Sequence, residues 1–212
     1  MKPRARIPAD DLLADDSGTT LVEFAIVLPI FLLLFLGTID FGRFGAEYMM
    51  AQKAMQLAAR TAAVRPAACA GVPTVNLRGA TPAGTTPPRF GTVCSAAATV
   101  CVNPGTISCA GNVSNPTVAE IWGAVSPILP NGATPANLLF RYDYDPDLGF
   151  LGGPYVPIVT VEIQNLNFQF ATPLGALALV AGSGPTSLGA AISFPPMSNS
   201  LPAEDLAQGE AG

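Results

Sequence analysis

One continuous apolar run, Leu21 to Ile39, most constrains how this chain can fold. Of its nineteen residues, only Glu23 is charged. A helix of that length rises about 28 Å, close to the hydrocarbon thickness of a bilayer. The sequence therefore predicts one membrane-spanning helix over about residues 21–39, with an ionisable side chain in its first turn.

The helical composition continues beyond this run. Alanines recur at spacings of three to five residues as far as Ala63, and the pattern ends at Arg65, because the following Pro66 disfavours a helical conformation there. We expect one helix from Thr19 to Val64, about 69 Å long. Its small residues either let a second helix approach closely or reflect the high helix propensity of alanine.

The composition offers little for catalysis or nucleic-acid binding. The chain contains no histidine, which removes Ser-His-Asp and Cys-His arrangements and imidazole metal ligands. Ten basic residues stand against fifteen acidic ones, so no excess of positive charge is available to neutralise phosphates. We expect no enzyme activity, no cofactor, no metal site and no nucleic-acid partner.

Four cysteines follow the apolar run within a stretch of 41 residues. Their spacing lacks the close Cys-x2-Cys pair typical of zinc sites, so we expect disulfides formed in an oxidising compartment. Three pairings are open, and some of the four could instead be buried thiols. Disulfides would place this part of the chain outside the cytoplasm. The candidates are Cys69, Cys94, Cys101 and Cys109.

The charges that flank the apolar run agree with that orientation. Three basic residues precede the run and two follow it closely, which favours a cytoplasmic N-terminus. Asp40 and Arg43, three residues apart, are expected to pair at the membrane boundary as an anchor. Pro29, inside the run, is expected to kink or loosen the helix, either as a flexible point or as a proline tolerated without a role.

A glycine, four residues and a glutamate before a long apolar helix are the arrangement of a type IV pilin precursor, and Gly18 and Glu23 supply it. The segment LVEFAIVLPIFLLLFLGTIDFGRF, followed by AARTAAV, resembles the TadE-like proteins of the tight-adherence (Flp) pilus system. This resemblance covers about residues 18–65. It implies that a prepilin peptidase cuts after Gly18, so that residues 1–18 are a leader peptide and the mature chain begins at Thr19.

The chemistry of Gly18 and Glu23 suits the roles that the resemblance implies. Gly18 would leave the backbone at the scissile bond unhindered. Cleavage would give Thr19 a new ammonium group, and Glu23, one turn later, would pair with it in the same subunit or a neighbouring one. The alternative is a glutamate at the level of the lipid headgroups with no role.

The resemblance implies a minor pilin or pseudopilin that takes part in tight-adherence pilus assembly as a priming, tip or fibre component, in adhesion and surface colonisation. The implied partners are the prepilin peptidase, other pilin subunits and the inner-membrane assembly platform. The implied location is the bacterial inner membrane with a periplasmic domain, and the extracellular pilus after assembly. The alternative is a permanently anchored envelope protein whose outward domain binds a ligand or partner.

The rest of the chain predicts an α+β fold, in which a small antiparallel sheet domain with disulfide-stapled loops occupies residues 66–181. Thr117 and Glu120 form a predicted capping box for a short helix that ends near Pro127 and buries Trp122. A Pro/Gly/Ser-rich acidic tail, extended or disordered, is expected over 182–212.

Runs of apolar residues predict five strands. The alternation changes phase between the second and third of them, which implies a bulge or turn near Asn165. The strands are predicted at 138–144, 156–164, 166–170, 176–180 and 188–194.

A cluster of aspartates, Asp143, Asp145 and Asp147, resembles part of a calcium loop. Leu148 and Pro154 stand where an EF-hand requires glycine and glutamate. We interpret the cluster as a solvated turn after a strand, with weak calcium binding as the alternative.

Overall fold

The computed structural model describes residues 18–181, 187–204 and 206. It confirms the α+β prediction, with a long N-terminal helix, an antiparallel sheet domain and two disulfides. The chain divides into two compact units. Unit 1 comprises the described residues up to Phe44 together with Gln169–Ile192, and unit 2 comprises Gly45–Phe168 and the described residues from Ser193 onward.

Helix α1 covers Thr19–Val64, 46 residues, with both ends where the sequence placed them. Pro29 lies inside it, and the helix continues on both sides. The chain leaves the helix at Arg65, immediately before Pro66.

Unit 2 contains a four-stranded antiparallel sheet in the order β1-β2-β3-β6. Strand β2 lies within the strand predicted at 138–144, and its side chains alternate in burial, with Leu138, Phe140 and Tyr142 fully buried. The bounds are β1 Ile107–Ala110, β2 Leu138–Asp143, β3 Ile158–Ile163 and β6 Met197–Pro202, and two short strands are β4 Asn167–Phe168 and β5 Ile192–Ser193.

The second half of α1 belongs to unit 2 and contributes its alanines to the core of that unit. Met55 is buried among them, only 1% exposed. The small side chains in this half are therefore used inside the protein's own domain, where they let other core side chains approach the helix closely. The buried alanines are Ala51, Ala54, Ala58, Ala59, Ala62 and Ala63.

Two disulfides join the four cysteines, and the structure decides the pairing that the spacing left open. Cys69 pairs with Cys109 at a Cα–Cα distance of 5.6 Å, which ties the segment after α1 to strand β1. Cys94 pairs with Cys101 at 5.2 Å and closes a short loop.

Helix α2, Pro116–Val125, starts differently from the prediction. Its N-cap is Asn115, whose side chain accepts hydrogen bonds from the amides of Thr117 (2.9 Å) and Val118 (3.3 Å). The capping box of Thr117 and Glu120 is wrong, because the Thr117 hydroxyl donates to the Pro66 carbonyl instead (2.8 Å). Trp122, predicted to be buried, is only half-buried.

The predicted strand at 176–180 is wrong. Residues Leu174–Val180 form helix α3, in keeping with the strong helix propensity of alanine and leucine. The predicted strands at 166–170 and 188–194 shrink to β4 and β5, of two residues each. The expected turn near Asn165 is present, since this residue has a positive φ of 54°.

Strand β6 lies inside the stretch that the sequence predicted to be an extended or disordered tail. Its backbone pairs with β3 along six residues, and the hydroxyl groups of Thr160 and Ser200 lie 2.8 Å apart across that pair. The polar sequence MSNSLP gave no apolar alternation from which to predict a strand. Strand β6 lies at the edge of the sheet and pairs with β3 only, so hydrogen bonds between the two backbones can hold it in place without an alternating apolar face.

Candidate functional site

Gly18 immediately precedes α1 and is exposed. A Cβ atom added to Gly18 would meet no other atom within 4 Å. Thr19, also exposed, is the first residue of the helix. The peptide bond predicted to be cleaved therefore joins two exposed residues at the very start of the helix.

Glu23 lies one helical turn after Thr19, about 6 Å along the helix axis. Its side chain is exposed, and so are the apolar side chains around it, with Phe24 60% and Val27 61% exposed. The carboxylate is thus the one charge on an otherwise apolar helix surface.

The first half of α1 is long and apolar enough to cross a membrane. Its most apolar 18-residue window has a mean hydropathy of 2.5, and none of that window is buried. A core helix of similar composition would be covered by other parts of its domain. Pro29 lies within this exposed half, and we still predict that it loosens the helix because it cannot donate a hydrogen bond to the carbonyl four residues earlier.

Asp40, the residue after the apolar run, is fully buried within unit 1. The predicted pair with Arg43 is present, with Nη1 of the arginine 3.0 Å from Oδ1 of the aspartate. The carboxylate also accepts hydrogen bonds from the amides of Ala171 (3.3 Å) and Thr172 (3.0 Å), and from the Thr172 hydroxyl. An ionised carboxylate only accepts, so these four donors match its charged form.

Sequence reasoning missed Ala171 and Thr172 as partners of Asp40. They lie 131 and 132 residues further along the chain, and no local pattern marks them. The only signal in the sequence was Asp40 itself, an acidic residue directly after an apolar run. Its carboxylate needs more hydrogen-bond donors than the half-exposed Arg43 can supply. The boundary pair is therefore part of a larger contact that ties a distant segment to α1.

An exposed ion pair joins the end of α1 to α2. Nε and Nη2 of Arg65 donate to the Glu120 carboxylate at 3.0 to 3.2 Å. The hydrogen bonds from Arg65 lower the pKa of Glu120 below its ordinary value. Both side chains are about half exposed, so solvent screens the pair and its contribution to stability is small.

Asp143, the last residue of β2, and Asp145 and Asp147 in the turn that follows make separate local contacts. The oxygens of Asp143 accept from Arg141 Nε (2.9 Å) and from the Thr106 hydroxyl (2.6 Å), and the Asp145 side chain caps the Asp147 amide (2.9 Å). Within the described ranges, no three His, Cys, Asp or Glu side chains could together hold a metal ion. The solvated-turn interpretation fits these contacts.

Comparison with known proteins bears on the long helix alone. A family model described as TadE-like protein matches residues 18–63, which begin at Gly18 and cover almost all of α1. This match confirms the similarity recognised in the sequence, and it covers less than half of the chain. No curated protein and no solved structure matches the chain. The similarity indicates involvement in the tight-adherence pilus and, with the apolar helix, anchoring in a membrane.

Proposed function

We propose that this chain, similar to TadE-like proteins over residues 18–63, is a minor pilin or pseudopilin that a prepilin peptidase cuts after Gly18. It would then act in the assembly of a tight-adherence pilus, in adhesion and surface colonisation. The role is structural rather than enzymatic. Its partners are the peptidase, other pilin subunits and the assembly platform of the inner membrane.

The observation that carries this proposal is the different burial of the two halves of α1. The first half is apolar, exposed and headed by Gly18 and Glu23, whereas the alanines of the second half are buried inside unit 2. The second half of such a helix packs inside its own domain, whereas its exposed first half can contact a bilayer or the helices of other subunits. This division supports a subunit that leaves the membrane for a helical assembly.

Cleavage gives the exposed glutamate a partner. The new ammonium group of Thr19 lies one turn from Glu23, in the same subunit or across a contact between subunits. In a low-dielectric surrounding, an unpaired charge is costly, so pairing these two groups favours their transfer into a packed bundle of helices. The uncut chain keeps seventeen more residues before Gly18, including four acidic and three basic side chains, which would have to be accommodated in that bundle.

The disulfides support the orientation that we propose. Two disulfides in unit 2 require an oxidising compartment, which for a bacterial envelope protein is the periplasm. The basic residues that precede the apolar run then remain in the cytoplasm with the leader.

The deciding experiment is the mass of the N-terminal peptide of protein purified from its native membrane. We expect a terminus at Thr19 in the wild-type strain and an uncut chain in a strain that lacks its prepilin peptidase. A chain that stays uncut in both strains would contradict the proposal. It would favour a permanently anchored envelope protein with an outward binding domain.

A matched pair of variants separates a cleavage defect from a folding defect. Gly18→Val should block cleavage, because a branched side chain hinders the scissile bond, while no atom lies within 4 Å to clash with it. Gly42→Val is the control, since this glycine inside α1 is equally open. Cleavage of both variants at the wild-type level would argue against Gly18 as the processing site.

A further inference from the structure

We infer that the segment Gln169–Ala181 lies in the membrane interface on the side of the sheet domain, as a second membrane contact beside the span. The inference goes beyond the proposed function. It depends on membrane anchoring of α1 and not on cleavage after Gly18, so the uncut and the cut chain test it equally well.

Hydrogen bonds to Asp40 hold the segment at the level where the span ends. Asp40 directly follows Ile39, the last residue of the apolar run, and therefore marks the boundary of the hydrocarbon. The amides of Ala171 and Thr172 donate to its buried carboxylate at 3.3 and 3.0 Å. The backbone of the segment is thus fixed at the level where the span ends.

An aromatic pair joins α1 and the segment at the same level. The rings of Phe41 and Phe170 meet edge to face with their centroids 5.8 Å apart. Phe41, next to Asp40 on α1, is 59% exposed. Large aromatic side chains at the end of a span suit the boundary between lipid tails and headgroups. This pair therefore continues the membrane contact of α1 into the segment.

The composition of the segment also suits a membrane interface. The stretch Gln169–Ile192 contains no Asp, Glu, Lys or Arg, and the uncharged region extends from Ile163 to Ala203. Helix α3 buries Leu174 and Ala178, yet leaves Leu179 57% and Val180 72% exposed. Exposed neighbouring apolar side chains with no charge near them in sequence are unusual on a surface that faces water.

The bilayer interface accounts for these three observations together. Helix α3 is about 10 Å long and begins two residues after Thr172, so it stays near the level of the boundary. A short apolar element at that level can bury its exposed side chains in the headgroup region while its backbone is hydrogen-bonded as a helix. Asp40 then ties two membrane contacts of unit 1 together, the span and the segment that leads into α3.

The test uses tryptophan fluorescence of the full chain in phosphatidylcholine vesicles with bromine atoms near the headgroup end of the acyl chains. Trp122→Phe removes the native emission, and Leu179→Trp places a reporter on the exposed side of α3. The control is Val113→Trp, since Val113 is 50% exposed in unit 2. We expect brominated lipid to quench Leu179→Trp at least about twofold more than Val113→Trp, and nearly as much as Ile39→Trp at the end of the span.

Equal quenching of Leu179→Trp and Val113→Trp would overturn the inference. A second outcome would also overturn it: a blue-shifted emission of Leu179→Trp that brominated lipid does not quench and that changes with the protein-to-lipid ratio. That result would mean that another protein subunit covers the exposed side of α3. Val180→Trp, 72% exposed, is a second reporter if Leu179→Trp fails to fold. The same measurement on Gly18→Val, the cleavage-blocked chain, should give the same quenching, which separates this inference from the proposed processing.

Discussion

Thr172 donates two hydrogen bonds to the carboxylate of Asp40, one from its amide at 3.0 Å and one from its hydroxyl. The two residues are 132 positions apart in sequence. Asp40 is fully buried, so this contact replaces water around a charged group at the end of the membrane span. A segment that would otherwise be a long connection between strands is thereby fixed to the first helix.

Asp40→Asn should release that segment, because an amide has one acceptor oxygen and cannot serve all four donors. We expect hydrogen exchange of the Thr172 amide to accelerate by about 10- to 100-fold, the equivalent of losing a charge-assisted hydrogen bond. The measurement is hydrogen exchange of the full chain in lipid nanodiscs. Asp147→Asn, an exposed acidic residue, serves as the control and should leave that amide unchanged.

Under the proposed function, Glu23→Gln should leave cleavage intact and weaken assembly, because it keeps the shape of the side chain but removes the charge that would pair with the Thr19 ammonium. We expect co-purification with other pilus subunits to fall by about tenfold, a loss of about 1.4 kcal/mol. Glu162→Gln, on strand β3, is the matched control. Wild-type assembly of Glu23→Gln would mean that the glutamate merely sits at the lipid headgroups.

The two disulfides should differ in their contribution to stability. Replacing Cys69 and Cys109 with serine opens a loop with a sequence separation of 40, whereas the Cys94–Cys101 loop has a separation of 7. Chain entropy predicts losses of about 4 and about 2.4 kcal/mol in the free energy of unfolding. Urea unfolding of the full chain in detergent, followed by Trp122 fluorescence, measures both. Equal losses would contradict this order.

Two buried tyrosines form a matched pair. The Tyr142 hydroxyl accepts a hydrogen bond from the buried Ala68 amide (2.8 Å), whereas the Tyr155 hydroxyl has no partner within the part of the chain that the structure describes. Tyr142→Phe should therefore lower the free energy of unfolding by about 1–3 kcal/mol, because the amide is left unsatisfied. Tyr155→Phe should change it by less than about 0.5 kcal/mol. Urea unfolding compares them, and a larger loss for Tyr155→Phe would contradict the assignment.

Tyr155 should also make the free energy of unfolding fall at alkaline pH. Burial, with smaller contributions from Tyr144 and Asp143, raises its pKa to about 12. An unfolded chain would ionise this group near pH 10, so its contribution is complete below about pH 10 and is lost as the pH rises towards about 12. Ultraviolet absorbance of tyrosinate should show a late-titrating group that Tyr155→Phe removes. Its persistence in that variant would assign it elsewhere.

The alternation in β3 was readable from sequence because a half-buried strand must place its apolar residues at every second position, as Val159, Val161 and Ile163 do. The N-cap of α2 was not, since Asn115 and Thr117 are both good capping residues and the Pro66 carbonyl, 51 residues away, engages the Thr117 hydroxyl. Strand β6 escaped prediction for a related reason, as backbone pairing with β3 leaves little trace in side-chain pattern.

The sequence by itself determined the long helix, its membrane-spanning composition and the Gly18 and Glu23 spacing, because these depend on local propensity and on residues within a few turns of one another. Only the tertiary structure decided the disulfide pairing, the burial of the alanines and the hydrogen bonds between Asp40 and Thr172. Apart from the Cys94–Cys101 disulfide, those contacts join positions tens to more than a hundred residues apart, and burial against a distant partner leaves no periodic signal in either stretch of sequence.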